Sequence, residues 1–145
     1  MYNFAVHSQI HEVATFSEFV DAFGLNGQDL LFTNKFTYHD YIETLNLPCQ
    51  IMIYENYSDG EPSDEMVTRI IQDLKKLNVT RVIGIGGGAV LDTAKLLCIK
   101  DAESYDDIYD EKVPLVRDKG LILIPTTCGT GCEICLLYTS DAADE

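Results

Sequence analysis

A parallel α/β sheet with helices on both faces is the fold class this chain predicts, on three observations. Short apolar runs at residues 29–34, 50–54, 81–85 and 121–124 have the length and composition of buried strands. Stretches of helical periodicity separate them, and such alternation of strand and helix is the signature of a doubly wound sheet. Two loops rich in glycine and threonine each follow one of these runs directly. In an open α/β sheet that is where a ligand site lies, at the carboxyl ends of the strands.

Taken in order, residues 2–6 and 9–13 alternate weakly around His7 and Ser8, which predicts a short hairpin. Thr15, Phe16, Ser17 and Glu18 spell a capping box. Phe16, Phe19, Val20 and Phe23 then recur at helical spacing before Gly24, a core-facing aromatic stripe. The strand at 29–34 leads into a helix through Tyr38, Tyr41, Ile42 and Leu45 that must end before Pro48. After the strand at 50–54 comes a polar loop, and Ser63 caps a helix carrying Met66, Val67, Ile70, Ile71, Leu74 and Leu77. The strand at 81–85 runs into glycines and a helix over 89–100. Residues 101–120 read as an irregular acidic connection to the last strand.

With 24 acidic residues against 10 basic ones and a net charge of −14, the chain does not fit a binder of nucleic-acid backbones, which needs Lys and Arg to neutralise phosphates. No apolar run approaches the ~20 residues needed to span a bilayer and no leader pattern opens the chain, so no membrane partner and a cytoplasmic location are expected. Five cysteines, an odd number lying in or beside predicted elements, suit reduced thiols. Residues 135–145 resemble the in-frame translation of a sequencing-library adapter. The expectation is therefore a fold confined to residues 1–134, itself truncated at its C-terminal end, with 135–145 a non-native tail.

The glycine stretch at 84–95 carries the first chemical signal. Gly84, Gly86 and Ala89 match the G-x-G-x-x-A dinucleotide fingerprint, weak by itself and misplaced here, because at least two strand–helix units precede it. The physics still holds: bare glycine amides at a helix N-terminus accept a pyrophosphate without a Cβ in the way. In the second loop Thr126, Thr127 and Thr130 add hydroxyl donors. Cys128, Cys132 and Cys135 spell C-x3-C-x2-C, a spacing that resembles the cluster loop of radical S-adenosylmethionine enzymes. The first two lie in a phosphate-type loop and the third in the suspected tail, so unliganded thiols are the reading preferred. His7, His11 and His39 lack metal-ligand spacing and read as surface or capping residues.

Residues 86–95, Gly86-Gly87-Gly88-Ala89-Val90-Leu91-Asp92-Thr93-Ala94-Lys95, resemble the GGGSxxDxAK motif of the iron-containing (group III) alcohol dehydrogenase family. Pro125-Thr126-Thr127-Cys128-Gly129-Thr130-Gly131-Cys132-Glu133 resembles its PTTxGTGSE motif. Residues 30–34 match its strand ending in Thr-Asp, and residues 60–65 resemble a loop of the 4-hydroxybutyrate dehydrogenase branch. The likeness extends over essentially all of 1–134.

The resemblance implies a Rossmann-like nucleotide-binding domain, with NAD or NADP as cofactor and a small alcohol or aldehyde, such as 4-hydroxybutyrate and succinic semialdehyde, as substrate. It also implies a homodimeric parent enzyme, for which the N-terminal hairpin offers a pairing edge. At matched positions Gly86, Gly87, Gly88 and Ala89 would hold the pyrophosphate, and Thr126, Thr127 and Thr130 would line the cofactor. Asp92 and Lys95 either brace the glycine loop or pair on the helix surface. Asn34 stands where the family has an Asp that accepts from the ribose 2′-OH and repels a 2′-phosphate; an amide does neither as strongly. Ala89 and Cys132 each replace a serine hydroxyl. The family's divalent metal, iron, is held by one Asp and three His of a C-terminal helical domain that the resemblance places after this chain. No metal ligand or catalytic residue is assigned here, and the chain alone is expected to be inactive. Other iron-type alcohol or glycerol dehydrogenases, a dehydroquinate-synthase-like cyclase and a non-catalytic nucleotide-binding module remain as alternatives.

Overall fold

The structure, a computed structural model, describes residues 8–11, 13–58, 60–126 and 137–140. Its central strands obey a period of two. In β2 (Asp29–Thr33), β4 (Arg81–Gly86) and β5 (Gly120–Pro125), Leu30, Phe32, Val82, Leu121 and Leu123 face one apolar cluster, and Leu31, Ile83, Ile85, Ile122 and Ile124 face another. Strands buried on both faces read as continuous apolar runs, which is why the sequence shows blocks there and no alternation.

The sheet has the order β1-β6-β5-β4-β2-β3, where β3 is Gln50–Ile53, β1 is Ser8–His11 and β6 is Leu137–Ser140. The four strands β3, β2, β4 and β5 are mutually parallel, with Thr33 level with Ile53 on one side and Ile85 on the other. One face is covered by α3 (Asp64–Lys75) and α4 (Gly88–Leu97). The other is covered by α1 (Phe16–Phe23) and the turns around Tyr38, Tyr41 and Ile42. Crossovers leaving in opposite directions on opposite faces keep one hand, as right-handed β-α-β connections require. This is the doubly wound parallel architecture expected.

Local chemistry sets the helix ends. Thr15 Oγ1 accepts from the Glu18 amide (3.2 Å), Glu18 Oε2 accepts from the Ala14 amide (2.7 Å), and Gly24 closes α1 in the left-handed region with φ 57°. Ser63 Oγ accepts from the Met66 amide, with Asp64 and Glu65 in the first turn of α3 where the helix dipole favours acids. At the amino-terminal rim of the sheet Asp29, buried, receives both Arg81 Nε (2.6 Å) and Arg81 Nη2 (2.8 Å), and Arg81 also donates to the Phe23 carbonyl.

Three segments differ from expectation. The single helix predicted before Pro48 is broken into α2 (Lys35–Thr37), a π-helical turn (Tyr38–Ile42) and a 3-10 turn (Glu43–Leu45), ending at Asn46 with φ 48°. A π turn carries an extra residue, and here it delivers Ile42 to the core while Leu45 stays exposed. The acidic connection contains α5 (Tyr105–Tyr109), capped by Ser104 and anchored by buried Ile108. Finally, Leu137–Ser140, within the segment set apart from the fold, pairs antiparallel with both β5 and β1; its Leu-Tyr-Thr composition suits a strand and β5 offers a free edge. Residues 2–6 of the expected hairpin lie outside the described residues, and Ser8–His11 pairs with β6. No helix among the described residues is long and apolar enough to cross a membrane.

Candidate functional site

The chain leaves β2 toward β3 and leaves β4 toward β5, so the carboxyl ends of β2 and β4 form the point where strand order reverses and a crevice opens. Asn34 follows β2 there, and Gly86, Gly87 and Gly88 follow the body of β4.

The glycines divide into two kinds. A Cβ on Gly84 would lie 2.7 Å from the Ala94 Cβ, so this glycine lets α4 approach the sheet. Gly86 is equally crowded: its Cβ would lie 2.7 Å from Asn34 Oδ1 and 3.0 Å from the Val90 Cβ, and its φ is 157°. Gly87 and Gly88 face open space, with nothing within 4 Å of a Cβ at either. Nothing in the packing requires glycine at these two positions, so their bare backbone is available to a ligand. Gly87 is the N-cap of α4 with no side chain to satisfy the first amides, and the first turn contains no acid. Among the described residues the first amides of α4 have no side-chain partner, and they stand with the positive end of the helix at the crevice, the arrangement that receives phosphate oxygens.

The loop is held from both sides. Thr33 Oγ1, fully buried, donates to the Ile85 carbonyl at 2.7 Å across β2 and β4. The Thr126 amide donates to the Gly86 carbonyl at 3.1 Å, tying the start of the threonine loop to the glycine turn. Asn34, the N-cap of α2, donates through Nδ2 to Glu55 Oε2 (3.2 Å), while Glu55 Oε1 accepts from the Lys35 amide (2.7 Å).

Of the residues singled out in the sequence, Asn34, Gly86, Gly87, Gly88 and Thr126 come together at this rim. Ala89 is half-buried and packs against the α3–α4 core, its carbonyl accepting from Thr93 Oγ1 at 2.8 Å. Asp92 and Lys95 form an ion pair of 3.4 Å with both side chains exposed on α4. Thr127, Thr130 and the cysteines at 128, 132 and 135 lie outside the described residues. Cys49 and Cys98 are buried free thiols; burial pushes the first up to about 11 and the second to about 12, so both stay protonated at neutral pH. His39 is exposed beside Glu43 at 2.9 Å. Glu55 was missed, because it belongs to no motif and only the parallel register of β2 with β3 brings it to the site; Thr33 lies in the strand matched to the family, but its bond to the Ile85 carbonyl depends on the register of β2 with β4.

Among the described residues no group of three or more His, Cys, Asp or Glu could hold a metal ion. The groups that are present fit a dinucleotide: backbone amides and hydroxyls can donate to a diphosphate, and the Glu55 carboxylate can accept from a sugar hydroxyl.

Residues 5–140 match the family model described as iron-containing alcohol dehydrogenase. The chain is 41% identical over 125 residues to 4-hydroxybutyrate dehydrogenase of Clostridium kluyveri, covering 86% of this chain and 34% of that protein. The crystal structure of an iron-containing alcohol dehydrogenase superposes with a TM-score of 0.56 at 26% identity, over 81% of this chain and 34% of that one. Sulfoacetaldehyde reductase from Bifidobacterium kashiwanohense, solved in complex with NAD+, shares the fold with a TM-score of 0.54 at 16% identity, over 86% of this chain and 38% of that one. The chain thus spans about a third of the length of the relatives it matches.

Proposed function

The chain belongs to the iron-containing alcohol dehydrogenase family, and we propose that it supplies the nicotinamide-dinucleotide-binding part of a metal-dependent dehydrogenase acting on 4-hydroxybutyrate and succinic semialdehyde. The observation that carries the reading is the pair Gly87 and Gly88, open to space at an uncapped helix N-terminus in the strand-switch crevice. The amides of Gly87, Gly88 and Ala89 would receive the diphosphate. Thr126, Thr127 and Thr130 would donate hydroxyls to the same ligand, with Thr126 held to the glycine turn by its own amide. Once bound, the nicotinamide supplies a hydride acceptor, and the protein's part is to fix where that ring lies. The described residues contain no group of three or more His, Cys, Asp or Glu that could hold a metal ion. The substrate branch is supported by the 41% identity to the clostridial 4-hydroxybutyrate dehydrogenase.

Calorimetric titration of the chain with NAD and ADP tests the cofactor reading: saturable binding of both is expected, and absence of binding overturns it. Assay of the parent enzyme with 4-hydroxybutyrate, butanol and glycerol tests the substrate. A preference for either of the latter two overturns that assignment.

A further inference from the structure

We propose that Glu55, reaching over from the end of β3, selects NAD against NADP in this chain. The proposal rests on the dinucleotide reading of the site. The register that sets Thr33 level with both Ile53 and Ile85 brings three consecutive strand ends to one rim. The glycine amides stand just past β4, Asn34 just past β2 and Glu55 just past β3.

Asn34 spans between the other two. Its Oδ1 lies where a Cβ on Gly86 would come within 2.7 Å, and its Nδ2 donates to Glu55 Oε2 at 3.2 Å. The amide is therefore oriented with its donor toward Glu55, not turned outward to meet an extra phosphate. Each Glu55 oxygen accepts one hydrogen bond from the chain, from Asn34 or from the Lys35 amide. An ionised carboxylate has about four lone-pair sites, so acceptor capacity remains on both oxygens. In doubly wound folds the acid beside the glycine turn accepts from the ribose 2′-OH. The Glu55 carboxylate, held against Asn34 and the Lys35 amide, would set a like charge against a 2′-phosphate brought to this rim. The charge absent from position 34 is thus restored by a neighbouring strand, and Asn34 is the positioning residue that holds it. Lys35, whose side chain is exposed next to Asn34, is the group whose cation would favour the opposite choice.

The test is calorimetric titration of the wild-type chain, Glu55→Gln and Glu55→Ala with ADP, NAD and NADP, with thermal melts of each protein. The wild type is expected to bind NAD at least about tenfold more tightly than NADP, and both variants to lose most of that ratio through a gain in NADP affinity, because a single like-charge contact is removed. ADP affinity is expected to change by less than about twofold, since the diphosphate contacts are made elsewhere. If wild type binds neither ADP nor NAD, the dinucleotide reading itself falls. If they bind but NADP is preferred, or the ratio survives in the variants, this proposal falls and the site reading stands. Unfolding of both variants assigns Glu55 to capping α2 alone and overturns the proposal as well.

Discussion

Replacing Gly88 by alanine separates what a glycine does for the fold from what it does for a ligand. Gly88 opens α4 and a Cβ there meets nothing within 4 Å. Alanine is favoured over glycine in helices by up to about 1 kcal/mol, and it restricts the unfolded chain as well. The variant is therefore expected to gain up to about 1 kcal/mol, a rise of roughly 2–6 °C in melting temperature for a domain of this size. The same methyl stands beside the amides assigned to the diphosphate. Loss of one hydrogen bond to a charged acceptor costs about 1.5–3 kcal/mol, or roughly 10- to 150-fold in affinity. Gly84→Ala supplies the contrast: its Cβ would meet that of Ala94 at 2.7 Å, and overpacking of this kind costs about 1–3 kcal/mol. Differential scanning calorimetry and titration with ADP measure the two quantities on the same samples. A Gly88→Ala protein that melts higher and binds ADP as tightly as the wild type would refute the assignment of this helix N-terminus to phosphate.

Three other outcomes are expected. Arg81→Ala leaves the buried Asp29 carboxylate with the Asn26 amide but without its cation; stripping one partner from a buried ion pair costs about 3–5 kcal/mol, and a loss under about 1 kcal/mol in urea unfolding would contradict it. Thr33→Val keeps shape but removes the 2.7 Å bond to the Ile85 carbonyl, an expected loss of about 1–3 kcal/mol because the carbonyl stays buried; an unchanged urea midpoint would show that bond to be dispensable. Cys98 has its pKa raised by burial from 9.0 to about 12. In that window the unfolded thiol gives up its proton while the folded one keeps it, so stability falls as pH rises from about 9, by at most ~1.4 kcal/mol per pH unit for this group. Cys98→Ala should flatten that alkaline slope in denaturation measured from about pH 8 to 11; an identical slope in both proteins would discard the thiol as its source.

Much of this was legible because it is encoded locally. The cap at Thr15, the cap at Ser63 and the turn from strand 81–86 into α4 are each written within a few residues, and buried parallel strands announce themselves as unbroken apolar blocks. The signal for α5 was present and weak: Ser104 and Asp107 sit at capping spacing, but a single buried residue, Ile108, gives no periodicity to read. The break in the helix after Asn34 is a tertiary effect, since the run through Tyr38, Tyr41 and Ile42 has helical spacing and only the fit of Ile42 into the sheet face selects the π turn. Glu55 could not be found from motifs because its partner is 21 positions away and the contact exists only through strand register. In the family's terms Asn34 marks a missing charge; only neighbouring strand ends reveal what stands beside it.

The Arg81–Asp29 clasp and the open glycine turn occupy opposite ends of the same strand, Arg81 at its start and Gly86 at its finish. Five residue steps separate them, roughly 17 Å of extended backbone. Distant sites of this kind contribute almost additively to stability. Ligand preference can therefore be rewritten at the far end of the sheet without loosening the anchor at the near end. Drift in cofactor or substrate choice demands no repair of the scaffold, a circumstance under which one architecture can diversify into many reductases.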